Sequence, residues 1–364
     1  MNLRIVALLA VLPLAASAGE SARNAPTFFR DVAPILQQHC QECHRAGEIA
    51  PMSLLTYQQT RPWAKAIKSA VLSRKMPPWF ADPHYGHFSN DRSLSQAEID
   101  TLVAWADNGA REGDLKEVPA ARTFLDGWNI PRPDATIEMP TAIDVPAKGE
   151  LRYQYVVLPT GFDDDKWVQA VEIRPSARAV VHHVVAFVRE PQSRWLRDAE
   201  PGVPFVPVMS GNNRFANLGG GGSEMLAFYT PGQACENWRA GLGKRIRARS
   251  DIVLQIHYTA DGKAERDRIK IGLVFAKEPP AERSLGLAAT NVLFRIPPGV
   301  SNYETHGFVT LPNGGTILSF FPHMHLRGKA FEFKATYPDG GSETLLKVNA
   351  YDFNWQLSYK LADR

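Results

Sequence analysis

The hydrophobic period of this chain changes partway along it, and that change limits the fold more than any single residue does. Up to residue 114, apolar side chains recur at helical spacing. Phe28, Phe29, Val32, Ile35 and Leu36 run straight into Cys40, and Trp63, Ala66, Ile67, Ala70 and Val71 repeat the interval. A third set, Ile99, Leu102, Val103 and Trp105, follows Ser95, a candidate N-cap with Glu98 at the capping-box position. Three helices over 27–114 are predicted, then a polar linker over 115–135. From 136 onward the segments 151–158, 179–188, 252–259, 268–276, 316–326 and 330–337 are rich in Val, Ile, Phe and Tyr, with Gly, Pro, Asn and Asp between them. That half reads as all-β, and the break at Lys277-Glu278-Pro279-Pro280 divides it into sandwich domains over 136–280 and 285–364. The second is short for a sandwich and is expected to be incomplete.

The expected fold class is therefore multidomain α plus all-β. A chain of 364 residues is long enough for two or three domains at about 150 residues each. Its 41 Lys and Arg against 38 Asp and Glu contain no long basic run, so nucleic-acid binding has no electrostatic support. Residues 1–18 hold Arg4, an apolar run from Ile5 to Ala15 and then Ala16-Ser17-Ala18, the pattern of a cleaved secretory leader. The run is too short for a stable anchor, and no later segment is apolar enough to span a bilayer. The mature protein is expected to be periplasmic or secreted. Gly219–Gly222 is expected to be a mobile turn.

Cys40-Gln41-Glu42-Cys43-His44 is a CxxCH pentapeptide, which places two thiols for thioether bonds to haem and an imidazole to ligate the iron. A zinc or redox pair is the alternative for two such cysteines. The opposite axial position needs a soft or nitrogen ligand, and Met76, in Lys75-Met76-Pro77-Pro78-Trp79, is the candidate. Met52, His84 and His87 compete with it, and His39 is expected to face solvent. Residues 27–114 resemble a class I-like cytochrome c domain. The resemblance implies covalent haem c and a one-electron carrier.

Five of the ten histidines lie in apolar β segments: His182, His183, His257, His323 and His325. In a strand, residues i and i+2 share a face, so His323 and His325 converge while Met324 points away. Adjacent strand residues face opposite sides, so His182 and His183 reach one ion only at a bulge or strand end. Taken alone, one ligand and one core histidine is the simpler reading of that pair, and His257 alone reads as a core residue.

Together, His182-His183-Val184-Val185, Leu254-Gln255-Ile256-His257-Tyr258 and Pro322-His323-Met324-His325-Leu326-Arg327-Gly328-Lys329 resemble the copper type II, ascorbate-dependent monooxygenases, the peptidylglycine α-hydroxylating and dopamine β-monooxygenase family. The resemblance implies two jelly-roll-like sandwiches, each with one copper facing the other across a solvent gap. It assigns His182, His183 and His257 to an electron-storing copper. His323 and His325 go to the copper that binds O2 and attacks a substrate C–H bond. The family adds a Met to the second copper, and no Met follows Met324 here. The family also braces its β domains with disulfides, whereas Cys235 is a lone thiol once haem takes two cysteines.

The sequence thus predicts an exported haem c–copper monooxygenase acting on a small-molecule or peptide substrate with O2. Electrons would come from an external donor, ascorbate or a redox protein, through haem to the coppers. The alternative is a non-catalytic periplasmic electron-transfer or copper-binding protein. A zinc hydrolase is disfavoured because no HExxH-type base accompanies the histidines.

Overall fold

The computed structural model describes residues 25–125, 127–207, 223–233, 235–291, 293–311 and 313–362. The expected leader and Gly219–Gly222 lie outside these residues. The fold is mostly β-sheet with a few helices, and the chain divides into two compact units. One unit takes the chain up to Gln41 with Ser53–Pro77 and Ser93–Ala121; the other takes Glu42–Met52, Pro78–Arg92 and everything from Arg122. These borders do not follow the expected limits of 27–114 and 115–135.

In the helical unit a π-helical turn, Phe28–Val32, runs into α1 (Ala33–His39); short turns at Tyr57–Thr60 and Arg61–Trp63 lead into α2 (Ala64–Leu72), and α3 spans Gln96–Asp107. The predicted faces of the first and third helices make its core, with Val32, Leu36, Leu102 and Trp105 fully buried; of the second predicted face Val71 is buried, while Trp63 and Ala66 are exposed. Ser95 and Glu98 form the capping box, the Glu98 amide donating to Ser95 Oγ (3.3 Å) and the Ser95 amide to Glu98 Oε2 (2.8 Å). Gly109 leaves α3 at φ +85°, a left-handed conformation that costs glycine little and stops the helix.

In the β unit the strands are β1 (Ala135–Glu138), β2 (Ile143–Val145), β3 (Gln154–Pro159), β4 (Lys166–Pro175), β5 (Val181–Arg189), β6 (Ser223–Tyr229), β7 (Cys235–Asn237), β8 (Leu242–Ile246), β9 (Asp251–Tyr258), β10 (Glu265–Asp267), β11 (Ile269–Phe275) and β12 (Glu282–Arg283). One sheet runs β1-β11-β4-β8-β12 with β7 beside β4; another runs β3-β9-β5-β6; β10 and β2 form a ribbon. Alternate residues of the two larger sheets, among them Val171 and Ile173 of β4, Val184 and Ala186 of β5 and Leu254 and Ile256 of β9, share one apolar core. The other face of the four-stranded sheet carries a second cluster with Tyr155, Val157, Val185, Phe187 and Val253. Strand β5 is therefore buried on both faces, which explains its nearly continuous apolar sequence.

The segment expected as a linker is tied down near its end. Wholly buried Glu172 on β4 accepts from the amides of Asn129 (2.5 Å) and Ile130 (3.2 Å), from Asn129 Nδ2 (3.0 Å) and from Arg174 Nη1 (3.0 Å). Glu172→Ala leaves these donors without their acceptor, so a loss of about 3 kcal/mol is expected. A urea midpoint unchanged from wild type would refute this.

The C-terminal part differs from the expected sandwich. Between Arg283 and Ser319 no described residue is in a strand, and β13 (Ser319–Phe320) with β16 (Tyr359–Lys360), and β14 (Phe331–Thr336) with β15 (Ser342–Val348), make two separate ribbons. Segment 316–326 yields only the two strand residues of β13, because Pro322 lacks the amide that a continuing ladder requires. Residues 78–92 complete the apolar cluster of these ribbons. Trp79 packs on Tyr359 (ring centroids 4.8 Å), Phe88 on Tyr359 (5.5 Å), and the Asp82 amide donates to Lys347 O (2.8 Å). That partnership is why this stretch, which has no helical period, belongs with the β unit.

Candidate metal centre

Parity along β5 and β9 builds the centre. Val184, Ala186 and Val188 face the sandwich core, so regular alternation turns His183 outward and His182 inward. Val181 also faces that core, however, and the β5–β9 register shifts between Val181 and His183. The bulge absorbs one residue and puts both imidazoles on the outer face. His257 sits opposite His183 in the register, on the same face as Val253 and Gln255. The simpler reading of one ligand and one core histidine gives way to this bulge.

His182 Nδ1 lies 3.1 Å from His257 Nδ1 and 3.1 Å from His183 Nδ1, and the three residues form a group able to hold a metal ion. A ring nitrogen carries one proton or one lone pair, so His182 Nδ1 makes one good hydrogen bond and leaves a third nitrogen facing it. A cation at the centre satisfies all three. Metal–nitrogen bonds of about 2.0 Å in tetrahedral array separate the ligand atoms by about 3.3 Å, close to the spacing seen here. Burial, reinforced by the neighbouring imidazoles, holds His183 well below the ordinary imidazole range and His257 down to about 4; burial also lowers His182. Near neutral pH all three are in the uncharged form that binds metal.

His323 and His325 stand in a loop and not in a strand, yet their rings lie 5.2 Å apart. Residues 351–356 brace them. His323 Nδ1 donates to Gln356 Oε1 (2.9 Å), which leaves Nε2 as the nitrogen able to bind a metal. Tyr351 Oη donates to Met324 O (2.6 Å) and accepts from the Met324 amide (3.0 Å), fixing the backbone between the two histidines.

The two groups are close to one another: the rings of His183 and His323 are 5.8 Å apart. The solvent gap that the resemblance implies is absent between these side chains. The C-terminal ribbons form no second sandwich to hold the loop away, and Phe353 packs its ring 5.0 Å from that of His182.

Sequence reasoning missed Tyr153, Phe353 and Gln356. Tyr153 stacks on His257 at 4.5 Å and 10° and faces His325 at 6.3 Å and 21°. Its signal was parity: Tyr155 and Val157 belong to the outer face, and Tyr153 continues that set. Phe353 and Gln356 carried no such signal, because they reach the centre through a loop.

The haem candidates are distributed along the chain's unit borders. Cys40 caps α1, its amide donating to Leu36 O (2.9 Å), in the helical unit; Cys43 and His44 fall in the β unit. His44 Nδ1 donates to Met52 O (3.3 Å), which orients the ring and keeps Nε2 for a metal, so Met52 acts here through its carbonyl. Burial lowers His44 and pushes the Cys43 thiol up to about 11. Met76 lies in the turn after α2, its amide near Ala70 O (3.4 Å). His84 pairs with Asp82 (2.7 Å) at the surface, and His87 is exposed. His39, expected to face solvent, instead turns Nε2 to Glu98 Oε1 (3.1 Å) with its side chain 8% exposed. Cys235 is a free, half-buried thiol on β7, raised by burial.

No protein-family model matches the chain, and no curated protein matches it either. Among the described residues no helix is long and apolar enough to cross a membrane.

Proposed function

We propose that this chain is an exported haem c–copper monooxygenase that hydroxylates a C–H bond of a small molecule or peptide with O2. The observation that carries the reading is the convergence of three Nδ1 atoms, from buried His182 and His183 and half-buried His257, beside the His323/His325 pair. Neutral imidazoles in this number suit copper. The resemblance in residue order supports the choice of metal, and the CxxCH spacing supports covalent haem held by Cys40 and Cys43, with His44 and Met76 as axial ligands. On this reading the chain is a helical cytochrome c-like part joined to one jelly-roll-like sandwich, with the C-terminal ribbons beside it carrying His323 and His325.

Bound copper would supply one-electron chemistry toward O2 and the substrate, and haem a one-electron feed from an external donor such as ascorbate or a redox protein. The overall reaction, O2 + R–H + 2 e− + 2 H+ giving R–OH + H2O, needs two electrons. The protein's part is positional. The doubly covered sheet holds His182, His183 and His257 rigid and neutral, while Gln356 sets the tautomer of His323. His323 and His325 are the more exposed ligands, and their side is where a substrate meets the centre.

The test is O2 uptake by haem- and copper-loaded protein with a reductant and a panel of C–H substrates, together with mass spectrometry under labelled O2. One labelled oxygen atom in the product is expected. Fully loaded protein that takes up no more O2 than its copper-free form would refute the reading. The alternative, a non-catalytic electron-transfer or copper-binding protein, draws on the complete burial of His183 and predicts that negative result.

A further inference from the structure

We propose that Asp267 is a positioning residue for the His182/His183/His257 group: it fixes the bulge that turns His182 and His183 to one face. This rests on the metal reading above. Asp267 is no ligand and acts through the two strands that carry the imidazoles.

The group depends on a single register shift. Val181 lies opposite Tyr258 and His183 opposite His257, so His182 has no partner on β9. Such a bulge interrupts the ladder at the very place where ligands must be held. Regular alternation there would turn His182 back toward the sandwich core.

Asp267, the last residue of β10, is wholly buried and grips the chain on both sides of that point. On the β5 side its Oδ1 accepts from the Ala177 amide (2.8 Å) and from Ser176 Oγ (3.1 Å), just ahead of the 3-10 turn Arg178–Val180 that opens into β5. Ser176 is fastened in turn: its Oγ accepts from the Arg268 amide (2.8 Å), and its own amide donates to Arg268 O (3.1 Å). On the β9 side Asp267 Oδ2 accepts from Tyr258 Oη (2.9 Å). Tyr258 follows His257 directly and is the register partner of Val181, the residue at the bulge. Between the two grips the Thr259 amide donates to Val180 O (2.8 Å). A buried carboxyl costs free energy unless its oxygens are hydrogen-bonded, and the donors that satisfy this one belong to the segments flanking the bulge. A satisfied buried network of this kind holds one local arrangement against its alternatives.

The test is Cu(II) EPR on the full chain at one equivalent of copper, with affinity read by competition against a chelator. Asp267→Ala is expected to change the parallel copper hyperfine splitting and to weaken binding about 10-fold, the lower end of what loss of an outer partner of a ligand costs. Tyr258→Phe keeps the ring in the core and removes one grip, so a smaller change of the same signal is expected. Asp267→Asn is expected to restore the wild-type signal, because the carboxamide oxygen can serve Ala177 and Ser176 while its NH2 donates to Tyr258 Oη. A wild-type signal in both Tyr258→Phe and folded Asp267→Ala would overturn the proposal. Weaker binding with an unchanged signal would overturn it too, because a merely structural residue behaves that way. Where Asp267→Ala fails to fold, Tyr258→Phe decides by the same criterion. A wild-type chain that binds no copper removes the reading of the trio itself, and the proposal falls with it.

Discussion

His183→Ala is expected to weaken copper binding at the His182/His183/His257 trio by more than about 100-fold. Removing an outer partner of a metal ligand already costs about 10- to 100-fold, and here a ligand itself is lost. His183 is fully buried, and its Nδ1 sits 3.1 Å from that of His182, within the span of a shared ion. His257→Gln should fall nearly as far, because the register partner of His183 contributes the third nitrogen from a different strand. Competition against a coloured chelator measures both. A variant that keeps wild-type affinity while remaining folded by circular dichroism would remove that residue from the ligand set.

The second large effect is expected at the pentapeptide. Cys40→Ser with Cys43→Ser should abolish covalent haem: the denatured chain loses haem staining and the mass of one haem, because no thioether remains. Each single variant should keep one thioether and so keep the stain. His44→Ala should keep both thioethers and lose the low-spin spectrum. Its ring is oriented by the Met52 carbonyl, and no other imidazole follows the second cysteine directly. Haem retained by the double variant after denaturation would show that these cysteines serve something else.

Much of the fold was legible in the sequence, and the failures share a cause. The three helices follow from their apolar spacing, and the Ser95–Glu98 capping box formed as its residue types require. The strands over β3, β5, β9 and β11 likewise follow from β-branched runs. Local pattern failed at 316–326, where a β-rich composition is interrupted by Pro322, and at 78–92, whose Trp79 and Phe88 find partners more than 250 residues away along the chain. Separations of that kind leave no periodic trace.

The candidate site divides the same way. Residue type alone singled out His182, His183, His257, His323 and His325, because imidazoles inside apolar β segments need partners. Whether adjacent His182 and His183 share a face depends on the register between β5 and β9, a property of two strands together that the sequence of either one leaves open. The bulge at Val181 decided it. Tertiary structure also decided the closeness of the two histidine groups and the enclosure by Tyr153, Phe353 and Gln356, since side chains far apart in sequence meet only once the sheets and ribbons have packed. The sequence by itself determined which donors exist and which segments are helix or strand, through spacing and side-chain chemistry. Only packing could determine which of those donors face one another.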